Sequence, residues 1–250
     1  MLRIIKKLFL FIVIVLILTG VVFIIWASIL ILELPSPDIV IGKAIGGSTQ
    51  IYDRTGKILL YEMGIRRYWV NYEDIPLNLI LATLAAEDDS FFEHHGISIK
   101  GILRSLWLDI KTRSLQYGGS TITQQLVRNL FLSTEKSFSR KLKEIILALE
   151  FERKFSKEQI LTYYLNTVNY GYGNIGVKAA ADFYFNKDLK DLTWDEAIIL
   201  AAIPKSPKYY APVNEENIKR LKERRKIILD NLLNLKWINE KDYNEVLKKE

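Results

Sequence analysis

The sequence predicts a mainly α-helical protein with one small β-hairpin near its N-terminus and one transmembrane helix before the hairpin. Three observations support this prediction. A run of 25 uncharged, largely apolar residues stands close to the start of the chain. Two short apolar runs flank a turn signal at 53–56. Beyond about residue 76, nearly every apolar stretch has helical spacing.

The composition restricts the class of protein. Of the 250 residues, 49% are hydrophobic and 26% are charged, with 13 Gly, 6 Pro and no Cys. These proportions exclude a disordered, a collagen-like and a disulfide-stapled chain. The net charge of +6 is mild, and we expect no nucleic-acid partner. The mean hydropathy of +0.07 is high for a purely soluble domain, so the apolar residues are expected to be unevenly distributed.

The apolar excess is concentrated at residues 8–32, which carry no charge. At about 1.5 Å per residue, this segment is long enough to cross a hydrocarbon layer of about 30 Å. Three basic residues within positions 1–7 predict a cytoplasmic tail and place the rest of the chain outside. A cleaved signal peptide is the alternative, but its apolar region is normally about 7 to 15 residues long. We therefore favour an uncleaved anchor at 8–32.

The following elements are identified by local signals. Residues 33–47 are rich in Pro and Gly and read as a linker, and the segment 49–64 is predicted to form the hairpin around Asp53–Gly56. Three capping boxes predict helix starts, at Thr121 with Gln124, Ser156 with Gln159, and Thr193 with Glu196. The C-terminal stretch is predicted to form two helices that are broken near 237–239.

Residues 96–111 combine a broad apolar face with flanking basic residues. This pattern suits a helix that lies in a bilayer interface, and it suits an ordinary core helix equally well.

The first candidate site is the acidic and histidine-rich segment 87–96. Glu87 ends an otherwise uncharged apolar helix, where a carboxylate is suited to act as a general base, although a solvated acidic cluster has the same pattern. The two histidines of the chain, His94 and His95, are adjacent and lack HExxH spacing, so a zinc site is not expected.

The second candidate site is the diglycine and helix start at 118–129. Free backbone N–H groups beside Ser120, Thr121 and Gln124 favour a phosphate or a sugar, although an ordinary helix cap has the same pattern. The basic residues Arg128 and Lys136 follow closely.

The third candidate site is a charged helix face. Arg140, Lys141 and Glu144 are three and four positions apart and share one face. They form either surface ion pairs or, if that face lines a cleft, an anion clamp around a fixed carboxylate.

A fourth pattern, G-x-G-x-x-G at 171–176, follows a predicted helix instead of a strand. We therefore interpret it as a tight glycine loop and not as a dinucleotide fingerprint.

Six motifs occur in a fixed order: EDxxFxxHxG (87–96), GGSTITQQLxxN (118–129), RKxxE (140–144), KEQILxxYLN (157–166), YGxGxxGxxxAA (170–181) and EAxxLAxxPxxPxxYxP (196–212). Together they resemble the peptidoglycan glycosyltransferases, which occur as the glycosyltransferase domain of class A penicillin-binding proteins and as monofunctional enzymes. The resemblance covers roughly residues 48–250. It implies a lysozyme-like domain with a small membrane-contacting lobe, which we assign to 96–111.

The resemblance also implies the reaction. Lipid II would be polymerised into β(1→4)-linked glycan strands, with inversion at MurNAc C1 and release of undecaprenyl pyrophosphate. Glu87 matches the family's catalytic glutamate and Glu144 its second essential glutamate. The substrate-binding residues implied by the motifs are Ser120, Thr121, Gln124, Arg128, Lys136, Arg140 and Lys141. Arg128 and Lys136 stand where the family usually has Lys and Arg, so charge is kept while donor geometry differs.

The family also implies the setting of the enzyme. It would be a single-pass protein of the bacterial inner (cytoplasmic) membrane with an extracytoplasmic catalytic domain. Its partners would be lipid II, the growing glycan chain, the bilayer, and transpeptidases or other cell-wall synthesis proteins. No covalent cofactor is expected, and Glu144 is compatible with a divalent cation, Mg²⁺ or Mn²⁺. Two alternatives stay open: a lytic glycosidase that acts on preformed glycan, and an inactive membrane-anchored scaffold.

Overall fold

The computed structural model describes residues 2–32, 34, 36, 49–57, 59–112, 119–132 and 137–249. The helices are α1 (Leu2–Leu32), α2 (Leu77–Glu87), α3 (Ile99–Thr112), α4 (Ile122–Phe131), α5 (Phe138–Lys154), α6 (Lys157–Thr167), α7 (Val177–Phe185), α8 (Trp194–Ala202), α9 (Pro207–Tyr210), α10 (Glu215–Asn234) and α11 (Glu240–Leu247). The strands are β1 (Thr49–Tyr52), β2 (Leu59–Met63), β3 (Arg66–Arg67) and β4 (Asn174–Ile175). The predicted mainly helical class is confirmed.

The predicted hairpin is formed by β1 and β2, which pair antiparallel with Thr49 opposite Met63. Its turn closes through a hydrogen bond from Gly56 N to Asp53 O at 2.9 Å. The Asp53 carboxylate accepts a hydrogen bond from Thr55 Oγ1 at 2.6 Å, which holds the turn in place. A second, parallel pair joins β3 to β4. The sequence did not predict this pair, because two residues are too few to show alternation.

The local helix signals are confirmed. Each of the three predicted capping boxes has both of its reciprocal hydrogen bonds, and these begin α4, α6 and α8. The C-terminal segment is broken after Asn234, where Lys236 has a positive φ of 58°, and it resumes as a helix at Glu240. The predicted linker at 33–47 lies almost wholly outside the described residues.

The predicted anchor segment is helical, and many of the large apolar side chains of α1 are exposed. Within the ranges given above, no helix meets the combined length and apolarity needed to cross a membrane. The membrane-spanning role of residues 8–32 therefore stays a prediction. The Trp26 ring of α1 stacks on Phe138 of α5 with centroids 6.3 Å apart.

Two groups of helices form the core and leave the site between them. Helices α2, α8 and α10 pack on one another, and so do α4, α5 and α6. The largest side chains buried in this core include Phe91, Phe151, Tyr164 and Tyr170. In the first group, α2 ends in Glu87. In the second group, α4 begins just after Ser120 and Thr121. The packing thus brings the first two predicted motifs face to face.

Buried polar contacts fix the remaining motifs. Asn166 is fully buried, accepts a hydrogen bond from Val70 N at 2.8 Å and donates one to Val70 O at 2.9 Å. Gly96 has a φ of +85°, and a Cβ at this position would lie 2.9 Å from Ala148 O. The glycine therefore lets the 88–96 loop approach the α5 backbone. The glycine pattern at 171–176 forms a tight loop between α6 and α7, as predicted.

Candidate active site

Glu87 is the last residue of α2, and its carboxylate is held by two other helices. One carboxylate oxygen accepts a hydrogen bond from Arg224 Nη2 at 2.6 Å, and the other accepts one from Gln125 Nε2 at 2.8 Å. The side chains of Glu87 and Arg224 are each 9% exposed. A buried carboxylate is costly without partners, and these two donors supply them. Glu87 is thus held in one position between α4 and α10.

Asp88 connects the Glu87 segment to the start of α4. Its Oδ2 atom accepts a hydrogen bond from Ile122 N at 3.0 Å and lies 3.0 Å from His94 Nε2. A second link is made by Thr121 Oγ1, which donates to Gly96 O at 2.7 Å. Both links are buried, so these two hydrogen bonds fix the Glu87 segment against the start of α4.

A small cleft separates these two segments. It is lined by Glu87, Asp88, Ser90, Ser98, Gly101, Arg104, Gly119, Ser120 and Thr121, and its volume is about 20 Å³. Arg104 of α3 forms an ion pair with Asp89. The α3 helix therefore closes one side of a cleft that has room for about one water molecule.

Glu144 lies next to this cleft and is almost completely buried, with 1% of its side chain exposed. Its Oε1 atom accepts a hydrogen bond from Lys141 Nζ at 2.5 Å, and Arg140 Nη1 lies 3.4 Å from Oε2. Lys141 Nζ also donates to Ser120 Oγ at 3.1 Å. Lys141 thus reaches the wall of the cleft through Ser120, and the anion clamp stays a prediction.

The same contacts show how well Glu87 and Glu144 could hold a metal ion. Both carboxylate oxygens of Glu144 face cationic groups, and those of Glu87 face Arg224 and Gln125. Among the residues with described positions, no group of three or more His, Cys, Asp or Glu side chains is placed to hold a metal ion. These carboxylates therefore fit Mg²⁺ or Mn²⁺ poorly, and the predicted divalent cation stays a prediction without a step assigned to it.

Thr121 and Gln124 were predicted to bind substrate, and both are buried. Thr121 Oγ1 accepts a hydrogen bond from Gln124 N at 3.2 Å, and Gln124 Oε1 accepts one from Thr121 N at 3.0 Å. These bonds form the capping box of α4. The geometry thus gives Gln124 a helix-capping role, whereas Ser120 and Thr121 line the cleft. The substrate-binding role of Gln124 stays a prediction.

Gln125 was not among the predicted site residues, but its side chain contacts Glu87. Its Nε2 atom donates to Glu87, and its Oε1 atom accepts a hydrogen bond from Tyr164 OH at 3.3 Å. Burial raises the pKa of Tyr164 well above its usual value, and the charge of Glu87 raises it further. Arg128 opposes this shift from its half-buried position on α4. Tyr164 therefore stays protonated and can keep donating to Gln125.

The remaining predicted residues have different outcomes. The structure brings Glu87, Ser120, Lys141 and Glu144 together, whereas Lys136 lies outside the described residues. Arg224 is a further functional residue that sequence reasoning missed. One signal was available, because Arg224 shares a helical face with the apolar residues Leu221 and Ile228 and is therefore expected to be buried.

Comparison with known proteins decides the family. A family model described as Transglycosylase matches residues 56–233. The chain belongs to the transglycosylase family. The predicted resemblance to the peptidoglycan glycosyltransferases is thereby confirmed at the level of the family, and with it the class of enzyme.

The relatives of this transglycosylase are larger proteins. Penicillin-binding protein 1A of Haemophilus influenzae is 44% identical over 200 residues, which are 80% of this chain and 23% of that protein. Penicillin-binding protein 1F of Bacillus subtilis is 42% identical over 195 residues, which are 78% of this chain and 27% of that protein. A crystal structure of the Haemophilus influenzae protein matches with a TM-score of 0.47 at 29% identity, over 81% of this chain and 20% of that one. The chain thus spans about a quarter of the length of the curated relatives it matches.

Proposed function

We propose that this transglycosylase polymerises lipid II into β(1→4)-linked glycan strands, inverts the configuration at MurNAc C1 and releases undecaprenyl pyrophosphate. One observation carries the proposal beyond the family. The buried carboxylate of Glu87 lines the same small cleft as Ser120, which accepts a hydrogen bond from Lys141. A candidate base and a cationic group therefore meet at one cleft, as glycosyl transfer from a pyrophosphate donor requires.

The proposed reaction has one bond-forming step. Glu87 accepts the proton of the acceptor's GlcNAc 4-hydroxyl, and the oxygen attacks MurNAc C1 of the growing chain. The bond from C1 to the pyrophosphate oxygen breaks, and its electron pair leaves with the lipid pyrophosphate. Attack opposite to the leaving group converts the α-linkage into a β-linkage. The proton on Glu87 is then released to solvent.

The leaving group is assigned to the basic side of the cleft. Arg140 and Lys141, with Arg128 and Lys136, stabilise the negative charge that develops on the pyrophosphate, and Ser120 donates a hydrogen bond. Glu144 orients its two cationic neighbours and does not act as the base. Support for this division comes from its contacts, because both of its oxygens already face Arg140 and Lys141.

Substrate entry is proposed to widen the cleft. The described residues leave about 20 Å³ in the cleft, which holds about one water molecule. The α3 helix closes one side, and its Arg104, whose side chain is 53% exposed, pairs with Asp89. An exposed ion pair is weak, so displacement of α3 is the least costly way to open the site.

The proposed setting is the outer face of the cytoplasmic membrane, in the bacterial cell envelope. We assign residues 1–7 to a cytoplasmic tail, 8–32 to the anchor, 33–47 to the linker and 48–250 to a lysozyme-like catalytic domain, with a membrane-contacting lobe at about 96–111. Exposed apolar side chains on α3 support the lobe: Ile99, Ile102, Leu103, Trp107 and Ile110. Lipid II and the growing chain are the proposed substrates, and transpeptidases are proposed partners.

A lytic glycosidase is the nearest alternative. Cleavage of a glycosidic bond requires a protonated carboxylic acid beside the leaving oxygen. All four carboxylate oxygens of Glu87 and Glu144 already face donors, so neither group is placed to give a proton to a leaving oxygen. This pairing favours the transferase over the glycosidase.

The proposal is tested with the purified full chain in detergent and two substrates. With lipid II, we expect lipid pyrophosphate to be released as the glycan lengthens, and with preformed glycan we expect no fragments. Fragments from preformed glycan would instead establish the glycosidase. Inertness towards both substrates would favour the inactive scaffold.

A further inference from the structure

Two parallel pairs of arginine and tyrosine lie along α9 and α10. In the inner pair Arg224 is buried and Tyr210 is half-buried: Arg224 Cζ lies 5.5 Å from the centroid of the Tyr210 ring, and the same guanidinium holds Glu87. The outer pair is Arg220 and Tyr209, with Arg220 Cζ 5.0 Å from the ring centroid. Tyr209 is 47% exposed. The outer pair thus repeats the inner one at the surface.

A second cation reaches the same ring. Lys208 Nζ lies 5.8 Å from the centroid of the Tyr209 ring, so two positive charges approach one exposed aromatic side chain. Arg220 also pairs with the exposed carboxylate of Glu216 one turn away. Such an exposed pair contributes little, and a better-placed anion can displace it. The net charge of Lys208, Arg220 and Glu216 taken together is positive.

The outer pair is rigidly placed relative to Glu87. Arg220 and Arg224 are four residues apart on α10, so their Cβ atoms lie about 6 Å apart on one face. Asn217 Nδ2 donates to Lys208 O at 3.1 Å and to Ala211 O at 2.9 Å, which fixes α9 against α10. Arg220 therefore lies one helical turn from Arg224, the residue that contacts Glu87.

We propose that Arg220 and Lys208, arranged around Tyr209, form a subsite for an oxyanion of the acceptor lipid II. This inference rests on the proposed function, in which Glu87 activates the acceptor and the Lys141 side holds the donor's pyrophosphate. A group beyond Arg224 then meets the acceptor and not the donor. The planar guanidinium binds carboxylates and phosphates alike. The oxyanion is either a carboxylate of the stem peptide or the acceptor's own pyrophosphate.

The test compares the full chain with the double variant Arg220→Met, Lys208→Met in detergent. Elongation rates are measured against lipid II concentration. We expect the KM for lipid II to rise about tenfold or more, as the loss of a charge-assisted hydrogen bond implies. The kcat should stay within about twofold, because neither residue touches the reacting atoms. The matched control is Lys222→Met, which removes an exposed charge about 200° around the same helix.

The outcomes separate the possible sources of the anion. If lipid II without its stem peptide gives wild type and double variant the same KM, the anion is a stem carboxylate. If the difference persists, it is the pyrophosphate. Equal KM values with intact lipid II, or an equal rise in the control variant, would overturn the subsite. Failure of the wild type to polymerise lipid II would instead overturn the proposed function.

Discussion

At the scale of single residues, Arg224 defines the environment of Glu87. The two are 137 positions apart in the chain, and both are nearly buried. Removing two charges from water is costly, and the attraction between them offsets this cost only when their geometry is good. Arg224 satisfies that condition, because its Nε atom also donates to Ala202 O at 3.1 Å. It is therefore a positioning residue for the proposed base.

The variant Arg224→Lys tests this role. Lysine keeps the positive charge but has a single nitrogen in place of the two that bond Ala202 O and Glu87, so we expect kcat to fall about tenfold with little change in KM. Polymerisation kinetics and thermal unfolding are measured on the same preparation. A kcat equal to that of the wild type would show that a point charge alone is sufficient.

The adjacent glutamines Gln124 and Gln125 provide a second test. Gln124→Ala breaks the capping box and leaves a buried N–H without its partner, so we expect a loss of about 1–3 kcal/mol in the free energy of unfolding, with turnover nearly retained. Gln125→Ala removes a donor to Glu87, so we expect turnover to fall about tenfold. Urea unfolding and polymerisation rates separate the two effects. Loss of turnover in a stable Gln124→Ala protein would restore its predicted substrate-binding role.

The sequence predicts some of these residues because their contacts are local. The Arg140, Lys141 and Glu144 cluster follows from helical spacing alone. Spacing could not decide whether the cluster is exposed, because its burial depends on the packing of α4 and α6 against α5. The partner of Glu87 could not be predicted either, since no local rule relates residue 87 to residue 224.

At the scale of elements, helix starts are the most predictable feature. The capping boxes of α4, α6 and α8 involve residues three apart, so sequence and structure agree. The role of α3 is different, because its apolar face is compatible with a core or a membrane. The structure leaves that face exposed, which supports the membrane contact.

The proposed contact of α3 with lipid can be tested on the protein in vesicles of brominated lipid. Trp107 is 58% exposed on α3, so we expect Trp107→Phe to remove part of the bromine-quenched tryptophan fluorescence. Trp237 is half-buried between α10 and α11, and Trp237→Phe should leave the quenched signal unchanged. If the two variants give the same quenched signal, α3 does not contact lipid.

At the scale of the whole molecule, buried tyrosines make the fold sensitive to alkali. Burial, aided by the charge of Glu87, raises the pKa of Tyr170, and burial raises that of Tyr184 to about 12. The unfolded chain loses these protons near pH 10. Stability from these groups is therefore complete below about pH 10 and is lost as the pH rises through the folded-state values.

This sensitivity is measured by urea unfolding between pH 8 and 11. We expect the free energy of unfolding to fall above about pH 10, by up to about 1.4 kcal/mol per pH unit for each tyrosine ionised only in the unfolded state. The free energy of unfolding of the Tyr170→Phe variant should fall less steeply with pH. An identical slope in this variant would remove Tyr170 from the account.

The polymerisation rate of Glu87→Gln tests whether Glu87 is the base of a lipid II polymerase. Glutamine keeps the shape of the side chain and loses the proton-accepting charge, so we expect turnover to fall by about 10²- to 10⁴-fold with the fold intact. Glu93→Gln, an exposed change in the same loop, should retain activity. Near-normal polymerisation by Glu87→Gln would show that Glu87 is not the base.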